Sequence, residues 1–108
     1  MASESLTQRI RDALSLERGI EEKSMFGGVA FLLYGNMLVG VWKNSLVARI
    51  GPEAQQAALQ KKHVSQFDIT RRPMNGWVMI EPDGVESNAQ LTGWIEQAKK
   101  FVEQLPPK

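Results

Sequence analysis

The stretch between residues 29 and 50 limits the fold of this chain more tightly than any other. Three short apolar runs follow one another there, over residues 29–33, 37–42 and 46–50. Gly35-Asn36 separates the first two as a hairpin turn would, and Lys43-Asn44-Ser45 separates the second from the third. Runs this short make strands rather than helices, and none approaches the length needed to span a bilayer. In the third run Leu46, Ala48 and Ile50 alternate with Val47 and Arg49, the period of a half-buried strand. Gly40, inside the second, predicts a bulge or the close approach of another backbone. Three strands with short turns predict an antiparallel meander.

Helical periodicity flanks the meander. Leu6, Ile10, Ala13 and Leu14 form one stripe, Ser5 and Gln8 fit a capping box, and Gly19 supplies a left-handed stop. Gly51-Pro52-Glu53 announces a second helix with Pro52 at its first position, followed by Ala54, Ala57, Ala58 and Leu59 as a small-residue stripe. Lys61, Lys62 and His63 are expected at its end, where the helix dipole favours positive charge. Phe67-Asp68-Ile69-Thr70 alternates as a fourth strand. Pro73 cannot continue a central strand, residues 77–81 read as a fifth, and Pro82-Asp83-Gly84 is a turn. The last helix is capped by Ser87 with Gln90, although Asn88 competes. It carries Leu91, Trp94, Ile95, Ala98, Val102 and Leu105 on one face and ends at Pro106-Pro107. The predicted order is α-β-β-β-α-β-β-α. The expectation is a single α+β domain over residues 1–108, a two-layer sandwich of one five-stranded antiparallel sheet with helices packed on it. A sheet covered on one side would invite self-association, so a homodimer is expected.

The 108 residues contain no cysteine, which excludes disulfides and thiolate metal sites and suits a reducing, cytoplasmic compartment. The first five residues are polar, unlike a signal peptide, and no membrane segment is expected. Formal net charge is +1 and the pI about 8.1, weak for a dedicated nucleic-acid binder.

No catalytic, cofactor-binding or metal-binding residues are predicted. His63 is the one histidine and cannot make a two-histidine metal site; a solvated residue at a helix end accounts for it. Ser24, Ser45 and Ser65 fall in predicted turns without a nucleophile elbow. Glu21-Glu22 and Glu81/Asp83 are close in sequence, and solvation explains both pairs. Gly27-Gly28 could cradle an anion with backbone N–H groups, but a tight turn or bulge explains it better. The cluster Arg71, Arg72, Pro73, Met74 and Trp77 has three readings. It can be a structural turn with Arg72 paired to a carboxylate and Trp77 packed inward, a protein-docking surface, or a phosphate contact. Trp42, Trp77 and Trp94 look mainly like core, with Trp42 partly exposed beside Lys43.

Several blocks resemble a known family, the N-terminal domain of the TfoX/Sxy proteins. They are Met25-Phe26-Gly27-Gly28-Val29-Ala30-Phe31, Gly35-Asn36-Met37, Val47-Ala48-Arg49-Ile50-Gly51 and Arg72-Pro73-Met74-Asn75-Gly76-Trp77-Val78, with the closing helix through Lys108. The likeness covers nearly the whole chain in order; M-F-G-G-x-A-F together with R-P-M-x-G-W is its specific part. The resemblance implies an α+β fold akin to type III secretion chaperones. It also implies a role in bacterial gene regulation, since longer members activate competence genes with the cyclic-AMP receptor protein and carry a second, helical domain. This chain ends at Lys108 and is expected to be a one-domain member. Arg71 stands where the family often has glycine.

These readings converge on a non-enzymatic regulatory module that binds a transcription-related protein, with weak nucleic-acid contact through Arg71/Arg72 and a small-molecule enzyme or sensor as the alternatives. The candidate interaction surface comprises Met25, Phe26, Gly27, Gly28, Arg49, Arg71, Arg72, Pro73, Met74 and Trp77.

Overall fold

The computed structural model describes residues 4–25, 28–67 and 75–106. Helix α1 (Glu4–Ala13) leads into strands β1 (Ile20–Met25), β2 (Gly28–Leu33), β3 (Asn36–Trp42) and β4 (Ser45–Arg49). Then come α2 (Pro52–Leu59), β5 (Val64–Gln66), β6 (Trp77–Ile80), a 3-10 turn over Pro82–Val85 and α3 (Asn88–Val102). The strands form one sheet in the order β1-β2-β3-β4-β6-β5, antiparallel at each pairing. The chain leaves the meander through α2, reaches the far edge as β5 and returns as β6 against β4.

The expected α+β architecture holds, with six strands rather than five. The added strand is β1, the sequence Ile-Glu-Glu-Lys-Ser-Met, whose residues 21–24 are all exposed. As an edge strand it carries no apolar alternation, so periodicity missed it. The expected fourth strand lies earlier, at Val64–Gln66. Phe67 follows it, and residues 68–70 lie outside the described residues.

The hairpin turn is Tyr34-Gly35 rather than Gly35-Asn36. Both residues have positive φ, 49° and 87°, as a two-residue turn matching the sheet twist requires. Asn36 thereby opens β3, is buried, and donates Nδ2–H to the Pro106 carbonyl at 2.8 Å. Gly40 meets the close approach expected of it: a Cβ there would lie 2.8 Å from the Val29 carbonyl oxygen. The bulge lies elsewhere, where the β2–β3 register shifts after Phe31, and it leaves Leu38 and Val39 both fully buried.

The helices share one face of the sheet. Leu6 and Ile10 of α1, Leu14 just after it, and Leu91, Trp94, Ile95, Ala98 and Val102 of α3 are buried with Phe31, Val39, Val41, Leu46, Ala48, Val78 and Ile80. Ala13 is exposed and Thr7 takes its place inside. Ser5 lies within α1, and Gln8 bonds Arg11 and Asp12 instead of capping. The helix ends at Ala13, so Gly19 turns the chain into β1 and is not the helix stop. At α3 the capping box is present: Gln90 N–H donates to Ser87 Oγ and Ser87 N–H to Gln90 Oε1. The opposite face of the sheet is not bare. Ala30, Leu32 and Val47 are buried there, as is Phe67, whose ring centroid lies 6.3 Å from both Trp42 and Trp77. Trp94 belongs to the core, whereas Trp42 and Trp77 are half-buried.

Candidate functional site

Arg49 closes β4 and Trp77 opens β6, and the two are direct partners across the antiparallel pair. Side chains opposite one another on a sheet share a face. The Arg49 guanidinium carbon lies 5.5 Å from the Trp77 ring centroid and 5.8 Å from that of Phe101, near the end of α3. Both distances are within the range at which a cation is attracted to a ring face. Among the described residues no carboxylate pairs with Arg49. Among the described residues, two aromatic rings rather than an ion pair hold this guanidinium.

The backbone beneath is fixed from three sides. Ile50 and Gly51 both donate N–H to the Gly76 carbonyl, at 2.8 and 3.0 Å. Gly51 has φ 92°, and a Cβ there would fall 2.5 Å from the Phe101 ring, so that ring rests on bare backbone. Gln55, from α2, is buried; its Oε1 accepts Gly76 N–H at 3.1 Å and its Nε2 donates to the Trp77 carbonyl at 3.2 Å. Gln55 was hidden in the sequence behind the alanine stripe. Its spacing to Ala58 and Leu59 is i, i+3, i+4, and it replaces Ala57, which is exposed, on the inner face. Beside the clamp a groove of about 620 Å³ runs between the start of α2 and the last turns of α3, with Ile50, Ala54 and Phe101 as its apolar wall and Glu53, Gln97 and Lys100 as its polar rim.

Of the expected interaction surface, the structure brings Arg49 and Trp77 together. Met25 closes β1 opposite Gly28, which opens β2. These lie at the other end of the sheet, about 13 Å away along the strand direction at the usual rise per residue. A Cβ on Gly28 would stand 2.0 Å from the Val41 carbonyl oxygen, so close approach of β3 requires this glycine. Phe26, Gly27, Arg71, Arg72, Pro73 and Met74 lie outside the described residues.

The remaining candidates are scattered. His63 stands beyond the end of α2 at φ 67°, as do Lys61 and Lys62, so none of the three occupies the helix's last turn. The His63 carbonyl accepts Glu81 N–H at 2.8 Å and its Nδ1 lies 3.8 Å from the Glu81 carboxylate. Ser24, Ser45 and Ser65 sit in strands β1, β4 and β5 rather than in turns. Glu21 and Glu22 point to opposite faces of β1. Glu22 receives two hydrogen bonds from Arg11, at 2.8 and 2.7 Å, and that bonding and charge hold its carboxyl below the ordinary carboxylate value. Lys99 is held above its ordinary value by its hydrogen bond to Glu17, a contact that ties α3 to the loop after α1. Among the described residues no three metal-ligating side chains come together, and no helix is long and apolar enough to cross a membrane.

Helices on one face of an open antiparallel sheet, with an arginine held between aromatic rings at one end, make this an α+β domain. A family model described as the TfoX N-terminal domain matches residues 12–102, from within α1 to the end of α3, and the chain belongs to that family. Comparison with curated proteins and with solved structures gave no match.

Proposed function

We propose that this domain is a non-enzymatic, cytoplasmic regulatory module that docks a carboxylate-bearing segment of a transcription-related protein at the Arg49–Trp77–Phe101 clamp. One observation carries the reading: a guanidinium positioned by two rings with no carboxylate on it among the described residues. Its side-chain entropy is already reduced before a partner arrives, and its planar fork matches a carboxylate bidentately. Arginine and tryptophan are the residues that most often dominate interface energetics. The adjoining groove supplies apolar wall for neighbouring side chains, and Lys100 on its rim adds a second positive charge. Family membership supports the regulatory direction.

The test is capture of partners from the native host under gentle crosslinking, with wild type and Arg49→Ala side by side. The expected result is a stoichiometric partner lost from the Arg49→Ala sample while both proteins melt at the same temperature. Recovery of the protein alone counts against docking. Binding to duplex DNA that weakens steeply with salt, and equally in both proteins, would move the reading to phosphate contact elsewhere.

A further inference from the structure

The two edges of the sheet differ sharply. At one end β5 has three residues; at the other β1 has six and, among the described residues, pairs on one side alone. An unpaired edge is a template for another strand, and charged residues normally protect it. Here the charges follow a pattern that matches itself.

The Gly19 carbonyl accepts Tyr34 N–H at 2.8 Å, and the β1–β2 register runs unbroken from Ile20↔Leu33 to Met25↔Gly28. Antiparallel ladders alternate, so Glu21, Lys23 and Met25 direct their backbone groups towards β2. Ile20, Glu22 and Ser24 direct theirs outward. Glu21 and Lys23 share the face away from the helices, where they pair at 3.3 Å and are more than half exposed. Glu22 is on the helix face, held by Arg11.

Two copies joined edge to edge in an antiparallel sheet are related by an axis perpendicular to it, so facing residues must be of the same parity. Three registers centre on the charged residues Glu21, Glu22 and Lys23. Centring on Glu21 sets it against itself, and centring on Lys23 does the same for lysine; like charges directly opposite are destabilising. Centring on Glu22 places Glu21 opposite Lys23 of the second copy, twice, in the non-hydrogen-bonded positions where side chains come closest. The same register matches the outward groups of Ile20 with Ser24 of the second copy and of Glu22 with Glu22, giving about six main-chain hydrogen bonds. The two central Glu22 carboxylates do not meet bare, because each already carries its own Arg11.

We propose that β1 is a self-association edge through which two copies of this chain pair antiparallel about Glu22, joining two six-stranded sheets into one. The surface is separate from the Arg49 clamp, two strands and more away, so either can fail without the other. Sedimentation equilibrium from micromolar to millimolar concentration should show a monomer–dimer equilibrium that weakens with salt. Glu21→Lys and Lys23→Glu, at exposed positions that leave the melting temperature unchanged, should each raise the dimer dissociation constant about tenfold. The double reversal Glu21→Lys/Lys23→Glu should restore it. In hydrogen exchange the amides of Ile20, Glu22 and Ser24 should gain protection as concentration rises, while those of Glu21 and Lys23 do not change. A protein that stays monomeric at millimolar concentration overturns the proposal. So does a dimer indifferent to the single reversals, or one whose concentration-dependent protection falls outside β1.

Discussion

Replacing Gln55 with methionine tests whether the clamp depends on the helix behind it. Gln55 is 6% exposed and makes at least two hydrogen bonds to backbone, from Gly76 N–H at 3.1 Å and to the Trp77 carbonyl at 3.2 Å. Gln55→Met keeps the length and packing of the side chain and removes both. Gly76 N–H is then buried without an acceptor, at about 1–3 kcal/mol, and the Trp77 carbonyl loses a bond worth about 1 kcal/mol. The sum, roughly 2–4 kcal/mol, is a large share of the stability of a domain this size. In urea, with a slope of about 1.5 kcal/mol/M, the unfolding midpoint should fall by about 2 M. The loss should also be local. Ile50 and Gly51 donate to the Gly76 carbonyl, so their amides should exchange faster than those of α3 under native conditions. A Gln55→Met protein with the wild-type midpoint and unchanged exchange at Ile50 and Gly51 would refute the claim that this glutamine holds the turn carrying Trp77.

Three further outcomes are expected. Gly28→Ala would place a methyl group 2.0 Å from the Val41 carbonyl oxygen, so β2 and β3 must part; a loss of about 3 kcal/mol or an insoluble product is expected on expression and urea unfolding. Ser87→Ala removes the side-chain acceptor for Gln90 N–H and should cost about 1 kcal/mol by the same measurement, with the α3 core otherwise intact. The Glu22 carboxyl is lowered in the folded protein by Arg11, so its contribution is full above the ordinary value of 4.5 and fades as the pH falls through the lowered value. Glu22→Gln should therefore reduce the unfolding free energy slightly at neutral pH, by under about 1 kcal/mol for so exposed a pair, and have no effect in strong acid.

Most of the fold was legible because its elements face a core. The three central strands carry apolar side chains on alternating or both faces, and α3 shows a complete stripe with its cap, so periodicity and turn chemistry agreed. The errors fall where that agreement lapses. Strand β1 is held by main-chain bonds to β2 while the side chains of residues 21–24 stay in water, so hydropathy carried no trace of it. Asn36 looked like a turn residue because asparagine suits left-handed backbone. Instead Tyr34 takes φ 49°, and Asn36 spends its amide on the Pro106 carbonyl. Ser5 and Gln8 had the spacing of a cap, but spacing cannot tell the first turn of a helix from its start.

The candidate site was half legible, and the divide has a physical cause. Arg49 and Trp77 were singled out by residue type, an arginine ending an apolar strand and a tryptophan beginning another. Their meeting depends on β6 returning beside β4 rather than at the edge, which a one-dimensional pattern does not encode. Phe101 was not singled out in the sequence, because its ring covers backbone at Gly51 instead of joining the apolar stripe of α3. Gln55 was not singled out at all. A polar side chain can be buried only where backbone groups meet it, and those groups belong to a turn twenty residues downstream. What identifies the clamp is therefore a convergence of three elements on one arginine. The ends of β4 and α3 and the start of β6 supply the cation and two rings, and α2 supplies the glutamine that holds their connection in place. That support lies under a surface cation that no carboxylate pairs among the described residues, and it is why the recognition proposal is placed here rather than at Gly28, where the close approach of β3 accounts for the glycine.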